Sequence, residues 1–208
     1  MGRRALVSRF CDGFILIGGR SSRMGQDKAL LEVDGKPLIQ IIAANVKQAL
    51  GEVTLVGSKA KYARLGMPVI EDIHPGLGPL AGIHAALRHS RKPLVLVVGC
   101  DMPFLNAQFL EHLAQVAAVA DAEVTVAESA DYGLESLCAV YNQSTLPHIE
   151  AALEHGELKV AMLYDKVRVR KLSVDECRGF NPQGVLFSNV NTPQDLELAR
   201  RRFESRAN

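Results

Sequence analysis

A glycine-rich loop that carries basic side chains follows the first apolar run of this 208-residue chain. Gly18 and Gly19 are adjacent, and Arg20, Arg23 and Lys28 come after them in the same loop. Glycine lets the backbone turn sharply and approach a ligand closely, and successive N–H groups in such a loop can bind an anion. The pattern therefore predicts a cradle for a polyphosphate. A surface turn with solvated basic side chains is the alternative that these residues leave open.

Two common phosphate-binding motifs do not fit this loop. A P-loop has the pattern G-x-x-x-x-G-K-[ST], whereas Gly25 is followed here by Gln26 and Asp27. A dinucleotide fingerprint has the pattern G-x-G-x-x-G, whereas the first two glycines of this loop are adjacent. If the loop binds phosphate, it belongs to another class of nucleotide-binding site.

An acidic residue also follows a predicted central strand. Asp101 comes shortly after the buried apolar run 94–98. In open α/β sheets ligands lie at the carboxyl ends of the strands, and Mg²⁺ is commonly held there by one or two carboxylates together with substrate phosphates. Asp101 is therefore a candidate Mg²⁺ ligand, with capping of the following helix as the alternative. A second strand, 69–70, ends in the acidic pair Glu71 and Asp72.

The elements that would position these side chains alternate along the chain. Short apolar runs predict strands at 14–17, 53–56, 69–70, 94–98, 124–127 and 137–141, and a half-exposed strand at 167–171. Amphipathic stretches predict helices at 37–50, 80–89, 107–119 and 144–154, and a last helix at 193–203 behind the N-cap candidate Thr192. This alternation predicts an α/β fold in three layers, an open, mostly parallel sheet with helices on both faces, in one domain over 1–208.

Composition excludes several classes of function. The chain has 24 Lys and Arg residues against 23 Asp and Glu residues, and 48% of its residues are hydrophobic. A globular core is expected, without the strong positive field that a nucleic-acid partner would require. No apolar run approaches the roughly 20 residues of a membrane-spanning helix. The four cysteines are far apart and no export signal is visible, so we expect a cytoplasmic protein without a membrane partner.

The segment 16–30 carries a resemblance to a known family. Its sequence, L-I-G-G-R-S-S-R-M-G-Q-D-K-A-L, resembles the signature of nucleotidyltransferases and in detail that of the molybdenum cofactor guanylyltransferases. The resemblance implies a Rossmann-like nucleotidyltransferase fold, with a nucleotide-binding half at about 13–105 and an acceptor half at about 106–203. It also implies transfer of GMP from GTP to molybdopterin with Mg²⁺ as cofactor, and molybdoenzyme chaperones as further partners.

The same resemblance implies roles for individual residues. Lys28, Arg23 and Asp101 would be catalytic, and Asp101, in the string C-D-M-P, would hold the metal. The GTP contacts would be Leu16, Ile17, Gly18, Gly19, Lys28, Ser58, Asp72 and Asp101. Ser58 lies in a turn that departs from the family pattern near the base, so the choice between guanine and cytosine stays open. Asp27 could orient Lys28 or cap a turn.

A final motif points to the acceptor. The string N-V-N-T-P-Q-D-L from Asn189 resembles a family motif, so Asn189 and Asn191 are candidate acceptor-binding residues. Capping of the last helix explains Thr192 and Pro193 without a functional role. Two rival functions remain: a cytidylyl or sugar-phosphate nucleotidyltransferase on the same fold, and a molybdopterin carrier without catalytic activity.

Overall fold

The structure, a computed structural model, describes residues 7–17 and 27–207. Within these ranges the chain forms nine strands: β1 (Cys11–Leu16), β2 (Glu32–Val33), β3 (Lys36–Pro37), β4 (Thr54–Val56), β5 (Val69–Ile70), β6 (Leu94–Gly99), β7 (Val124–Ser129), β8 (Gly133–Asn142) and β9 (Val169–Leu172). The α-helices are α1 (Leu38–Leu50), α2 (Lys59–Tyr62), α3 (Pro79–His89), α4 (Ala107–Val119), α5 (Leu146–Glu154), α6 (Val160–Leu163), α7 (Val174–Arg178) and α8 (Pro193–Ala207). Short 3₁₀ turns occupy Lys28–Leu30, Ala63–Leu65 and Gln143–Thr145.

Seven of the strands form one sheet in the order β5-β4-β1-β6-β8-β7-β9. The pairs β4–β5, β1–β4, β1–β6 and β7–β9 are parallel, whereas β8 is antiparallel to both β6 and β7. The prediction of an α/β fold with a mostly parallel sheet is therefore confirmed. β8 reverses direction because a tight turn rather than a crossover helix joins it to β7.

Helices cover both faces of the sheet, as predicted. In β6, Leu96 and Val98 lie in one buried apolar cluster with residues of α1 and α4, while Val95 and Val97 lie in another with residues of α3 and α5. Successive side chains of a strand point to opposite faces, so a central strand covered on both sides must be apolar throughout. This explains the uninterrupted apolar run that ends shortly before Asp101.

The last helix lies outside these two layers. Leu196 and Ala199 of α8 pack in a third apolar cluster with Leu31 and Val33, beside the β2–β3 hairpin. The helix begins as predicted, because Thr192 Oγ1 accepts a hydrogen bond of 3.2 Å from the backbone N–H of Asp195. This packing places the segment before α8, which contains both candidate asparagines, beside the N-terminal half of the fold.

No helix in the described residues, 7–17 and 27–207, is both long and apolar enough to cross a bilayer.

Candidate active site

Three side chains from distant parts of the chain meet at the carboxyl edge of the sheet. Lys28 belongs to the 3₁₀ turn after β1, Asp101 follows β6, and Asn191 precedes α8. Lys28 Nζ lies 3.8 Å from Asp101 Oδ2 and donates a hydrogen bond of 2.5 Å to Asn191 Oδ1. Both ends of the ion pair remain open to solvent, with 22% and 24% of the two side chains exposed. The three groups can therefore reach a bound substrate.

The backbone holds the asparagine segment against Asp101. The N–H of Val190 donates a hydrogen bond of 2.8 Å to the Asp101 carbonyl oxygen, so Asn189 and Asn191 flank the point of attachment. Asn189 Oδ1 is buried and has no hydrogen-bond partner among the described residues. A buried amide oxygen in that condition costs free energy, which a bound ligand or water can recover. Both asparagines predicted on the acceptor side thus lie beside the candidate metal ligand.

Burial and neighbouring positive charge shift the pKa of Asp101 in opposite directions. Burial raises the pKa of its carboxyl above the usual value, while the attraction of the Lys28 ammonium and a backbone hydrogen bond lower it. A partly buried carboxylate that pairs, among the described residues, with one ammonium is short of positive charge when it is ionised. A bound cation would supply that charge.

Asp27 fastens the turn that carries Lys28. Its carboxylate accepts hydrogen bonds of 3.1 Å from the Ala29 N–H and 2.7 Å from the Tyr62 hydroxyl, and it lies 2.6 Å from Lys61 Nζ. Asp27 is therefore the N-cap of the 3₁₀ turn Lys28–Leu30 and is anchored to α2. Between the two roles considered for it, these contacts favour capping, which in turn fixes the start of the Lys28 side chain.

We expect Asp27→Ala to destabilise the protein by about 2 kcal/mol, since a cap and a charge-assisted hydrogen bond are lost. Burial tends to raise the pKa of Asp27, but hydrogen bonds from Lys61, Tyr62 and Ala29 hold it below its usual value. A lowered folded-state pKa gives stability above the unfolded pKa of about 4, and that stability is lost as the pH falls through the folded value. The difference from wild type in urea unfolding should therefore shrink in acid.

Asp27→Asn is the matched control, because its amide oxygen can still cap the turn and accept from Tyr62. At neutral pH it should recover most of the lost stability. Equal unfolding free energies for wild type and Asp27→Ala at pH 7 would show that the contacts of the Asp27 carboxylate do not stabilise the turn.

The predicted nucleotide contacts lie at the ends of the neighbouring strands. Leu16 ends β1, and the Ile17 N–H donates a hydrogen bond of 2.9 Å to the Val56 carbonyl of β4. A Cβ atom at Gly57 would lie 2.3 Å from the Ile17 carbonyl oxygen, so only glycine fits there. This close approach explains why the turn before Ser58 contains glycine. Ser58 itself is exposed at the start of α2.

Asp72 lies just after β5, the edge strand of the sheet. Its Oδ1 accepts a hydrogen bond of 2.8 Å from the His74 N–H and so shapes the turn toward α3. Since β5, β4, β1 and β6 are neighbours and run in the same direction, Asp72, Ser58 and Ile17 lie along the same edge as Asp101. Among the described residues, none of the three forms a hydrogen bond or an ion pair with Lys28 or Asp101. They have only their position along this edge in common with those two residues. Three further predicted residues, Gly18, Gly19 and Arg23, lie outside the described residues.

One acidic residue at this edge was not predicted from the sequence. Glu135 lies on β8, next to β6 in the sheet, and only 6% of it is exposed. Burial raises the pKa of its carboxyl, a hydrogen bond with Ser129 opposes this, and the nearby charge of Asp101 raises it further. Its Oε1 has no hydrogen-bond partner among the described residues.

The oxygen atoms at this edge fit a hard divalent cation. Asp101 offers a carboxylate, and Asn189 Oδ1 and Glu135 Oε1 are buried oxygens without a described partner. Mg²⁺ prefers such ligands and usually completes its shell with water and substrate phosphates. Within 7–17 and 27–207, no group of three or more His, Cys, Asp or Glu side chains forms a complete metal site. A cation here would therefore depend on water or substrate for part of its coordination.

Comparison with known proteins identifies the class. The chain superposes with a TM-score of 0.83 on the crystal structure of molybdopterin-guanine dinucleotide biosynthesis protein A from Archaeoglobus fulgidus, at 30% identity over 93% of this chain and 99% of that one. It superposes with a TM-score of 0.70 on a 4-diphosphocytidyl-2C-methyl-D-erythritol synthase from Anaerococcus prevotii at 14% identity, a likeness of fold alone that covers 96% and 99% of the two chains. Fold and relatives together define a nucleotidyltransferase.

Sequence comparison narrows this class to a family. Residues 13–169 match the sequence model of the MobA-like NTP transferase domain, and the chain belongs to that family. A relative from Pelotomaculum thermopropionicum, named "Probable molybdenum cofactor guanylyltransferase", is 40% identical over 90% of this chain and 91% of its own length. Membership of the expected family is thereby confirmed.

Proposed function

We propose that this enzyme transfers GMP from GTP to the molybdopterin form of the molybdenum cofactor, releasing pyrophosphate. The observation that carries the proposal is the meeting of Lys28, Asp101 and Asn191 at the carboxyl edge of the sheet. The names of the Pelotomaculum and Archaeoglobus relatives support the choice of nucleotide and acceptor. The product would serve molybdoenzymes in the cytoplasm, with their chaperones as partners.

The reaction is an in-line displacement at phosphorus. An oxygen of the terminal phosphate of molybdopterin forms a bond to the α-phosphorus of GTP, and the bond from that phosphorus to the pyrophosphate oxygen breaks. Such a reaction needs positioning and charge stabilisation rather than a covalent protein intermediate. The Lys28 ammonium would bind the phosphate oxygens on which negative charge accumulates, and Asn191 would hold that ammonium in place.

Asp101 is the residue that would bind the metal. Enzymes of this family generally use a divalent metal, and we propose Mg²⁺. When bound, it would neutralise phosphate charge as a Lewis acid. Asp101 would hold it, the ends of β1, β4 and β5 would bind the guanosine, and Asn189 and Asn191 would orient the acceptor phosphate. Arg23 would add positive charge near the phosphates.

The two rival functions differ from this proposal in substrate or in chemistry. A cytidylyl enzyme would share the fold, and the exposed turn at Ser58 is where a different base preference would arise. A carrier of molybdopterin would have no use for a lysine paired with a carboxylate at the nucleotide edge, so the Lys28–Asp101 pair favours catalysis.

Pyrophosphate release tests the proposal directly. The purified chain with Mg²⁺ should release pyrophosphate from GTP when molybdopterin is present, and at most slowly from ATP, CTP or UTP. Release from CTP instead would assign the enzyme to the cytidylyl relatives. Tight GTP or molybdopterin binding without release would favour the carrier.

A further inference from the structure

One carboxylate oxygen of Glu135, Oε1, lacks the partner that its burial would lead one to expect. Glu135 is 6% exposed on β8, and its Oε1 has no hydrogen-bond partner among the described residues. A buried carboxyl oxygen without a partner is costly, and such groups are usually paired, hydrogen-bonded or bound to a metal. A ligand that binds Oε1 would recover the free energy lost there.

The geometry of the sheet directs Glu135 toward Asp101. A Cβ atom at Gly99, the last residue of β6, would lie 2.9 Å from Asp101 Oδ1 and 3.5 Å from Leu137 Cβ. The Asp101 carboxylate therefore folds back over the end of β6, beside Leu137 of the neighbouring strand. Glu135 lies two residues before Leu137 on β8, and residues two apart share a face of a strand.

The spacing of residues along β8 is within the length of a glutamate side chain. Two residues along a strand span about 6–7 Å, which a glutamate side chain can largely cover. Burial raises the pKa of the Glu135 carboxyl, and the negative charge of Asp101 raises it further. Among the described residues, one ammonium, that of Lys28, pairs with Asp101, and it is also hydrogen-bonded to Asn191. Two ionised carboxylates beside one ammonium carry excess negative charge, which a divalent cation would offset.

We infer that Glu135 is a second carboxylate ligand of the divalent cation held by Asp101, on the side of the site that faces the acceptor half. The inference rests on the proposed function, since that function supplies the cation. It assigns to β8 a role in the reaction beyond packing. The cation would then join a strand of the nucleotide half to a strand of the acceptor half.

Metal binding without turnover tests this assignment. Mn²⁺ serves as the probe, and electron paramagnetic resonance measures the free ion during titration of the chain, alone and with a non-hydrolysable GTP analogue. Asp101→Asn and Glu135→Gln should each weaken Mn²⁺ binding by at least about tenfold. Glu128→Gln is the matched control, because Glu128 lies on the adjacent strand β7 and its charge acts on Cys177. The Mn²⁺ affinity of this variant should stay within about twofold of the wild-type value.

Thermal unfolding without metal separates binding from folding. Glu135→Gln should unfold at or above the wild-type temperature, because a neutral amide is cheaper to bury than a carboxylate. Glu135→Met, which has a similar length and no oxygen, should show the same loss of Mn²⁺ affinity.

The outcomes distinguish the inference from the proposed function. Loss of Mn²⁺ affinity in Asp101→Asn with wild-type affinity in both Glu135 variants would overturn the role of Glu135 and leave the proposed function intact. An absence of Mn²⁺ binding by the wild-type chain, with and without the GTP analogue, would overturn the inference together with the metal requirement of the proposed reaction.

Discussion

Replacing Lys28 by methionine should lower kcat for guanylyl transfer by about 10²–10³-fold, the loss seen when one group that stabilises transition-state charge is removed. Methionine keeps much of the aliphatic stem and removes only the ammonium. Because negative charge grows on the phosphates in the transition state, kcat should fall more than KM for GTP rises. Steady-state kinetics of pyrophosphate release, with GTP and molybdopterin varied separately, measure both quantities.

The structure of Lys28→Met should be preserved. Its ion pair with Asp101 is partly exposed, so its loss should change the free energy of unfolding by no more than about 1 kcal/mol. Lys59→Ala, at an exposed lysine of α2, is the control for removal of a positive charge and should retain wild-type turnover. Unchanged kcat in Lys28→Met would contradict the role of the ammonium in the reaction.

Replacing Asp101 by asparagine should have a larger effect, of about 10³-fold or more on transfer. A catalytic metal contributes several kcal/mol to the barrier, and each 1.4 kcal/mol corresponds to a factor of ten in rate. Asparagine keeps the shape of the side chain but loses the negative charge that would hold the proposed cation. Since burial already raises the pKa of the Asp101 carboxyl, a neutral side chain should leave the protein as stable as before or slightly more so.

Two measurements accompany this variant. Raising the Mg²⁺ concentration should restore part of the activity of Asp101→Asn, because a weakened site can still be filled by mass action. Asp165→Asn, at an exposed position, makes the same chemical change away from the site and should leave both rate and metal dependence unaltered. A full rate for Asp101→Asn at low Mg²⁺ would refute the assignment of the metal to this carboxylate.

The sequence was sufficient to predict that Lys28 and Asp101 lie at the same edge of the sheet. Lys28 and Asp101 follow two different predicted strands, and the ends of parallel strands meet at one edge of a sheet. Their approach to 3.8 Å is what that rule leads one to expect. The family signature then supplied roles that strand patterns do not contain.

The contact between Lys28 and Asn191 was beyond sequence reasoning. The two residues are 163 positions apart, and they meet only because α8 packs beside the β2–β3 hairpin. That hairpin was itself overlooked. Asp34 and Gly35 have φ angles of 52° and 67° and form its turn, but the flanking strands have two residues each, too few to show a periodic pattern.

Glu135 shows the same limit at another position. The apolar run predicts a strand from 137, whereas β8 begins at Gly133. A lone acid near a strand end is normally solvated, whereas Glu135 is only 6% exposed, and its sequence neighbours give no sign of that burial. Helix α5 was shorter than predicted for a local reason, because Pro147 favours a helix start at Leu146.

The position of β8 also bears on how the enzyme can move. It is hydrogen-bonded to β6 over five residue pairs and to β7 on its other side, so the predicted nucleotide and acceptor halves share one continuous ladder. Closure by a hinge between the halves would have to break that ladder. The separation of the two halves at β6 and β8 is therefore preset by the spacing of neighbouring strands, about 4.8 Å per step. A preference for a different acceptor would then have to arise from changes in side chains and loops, while the paired strands stay in place.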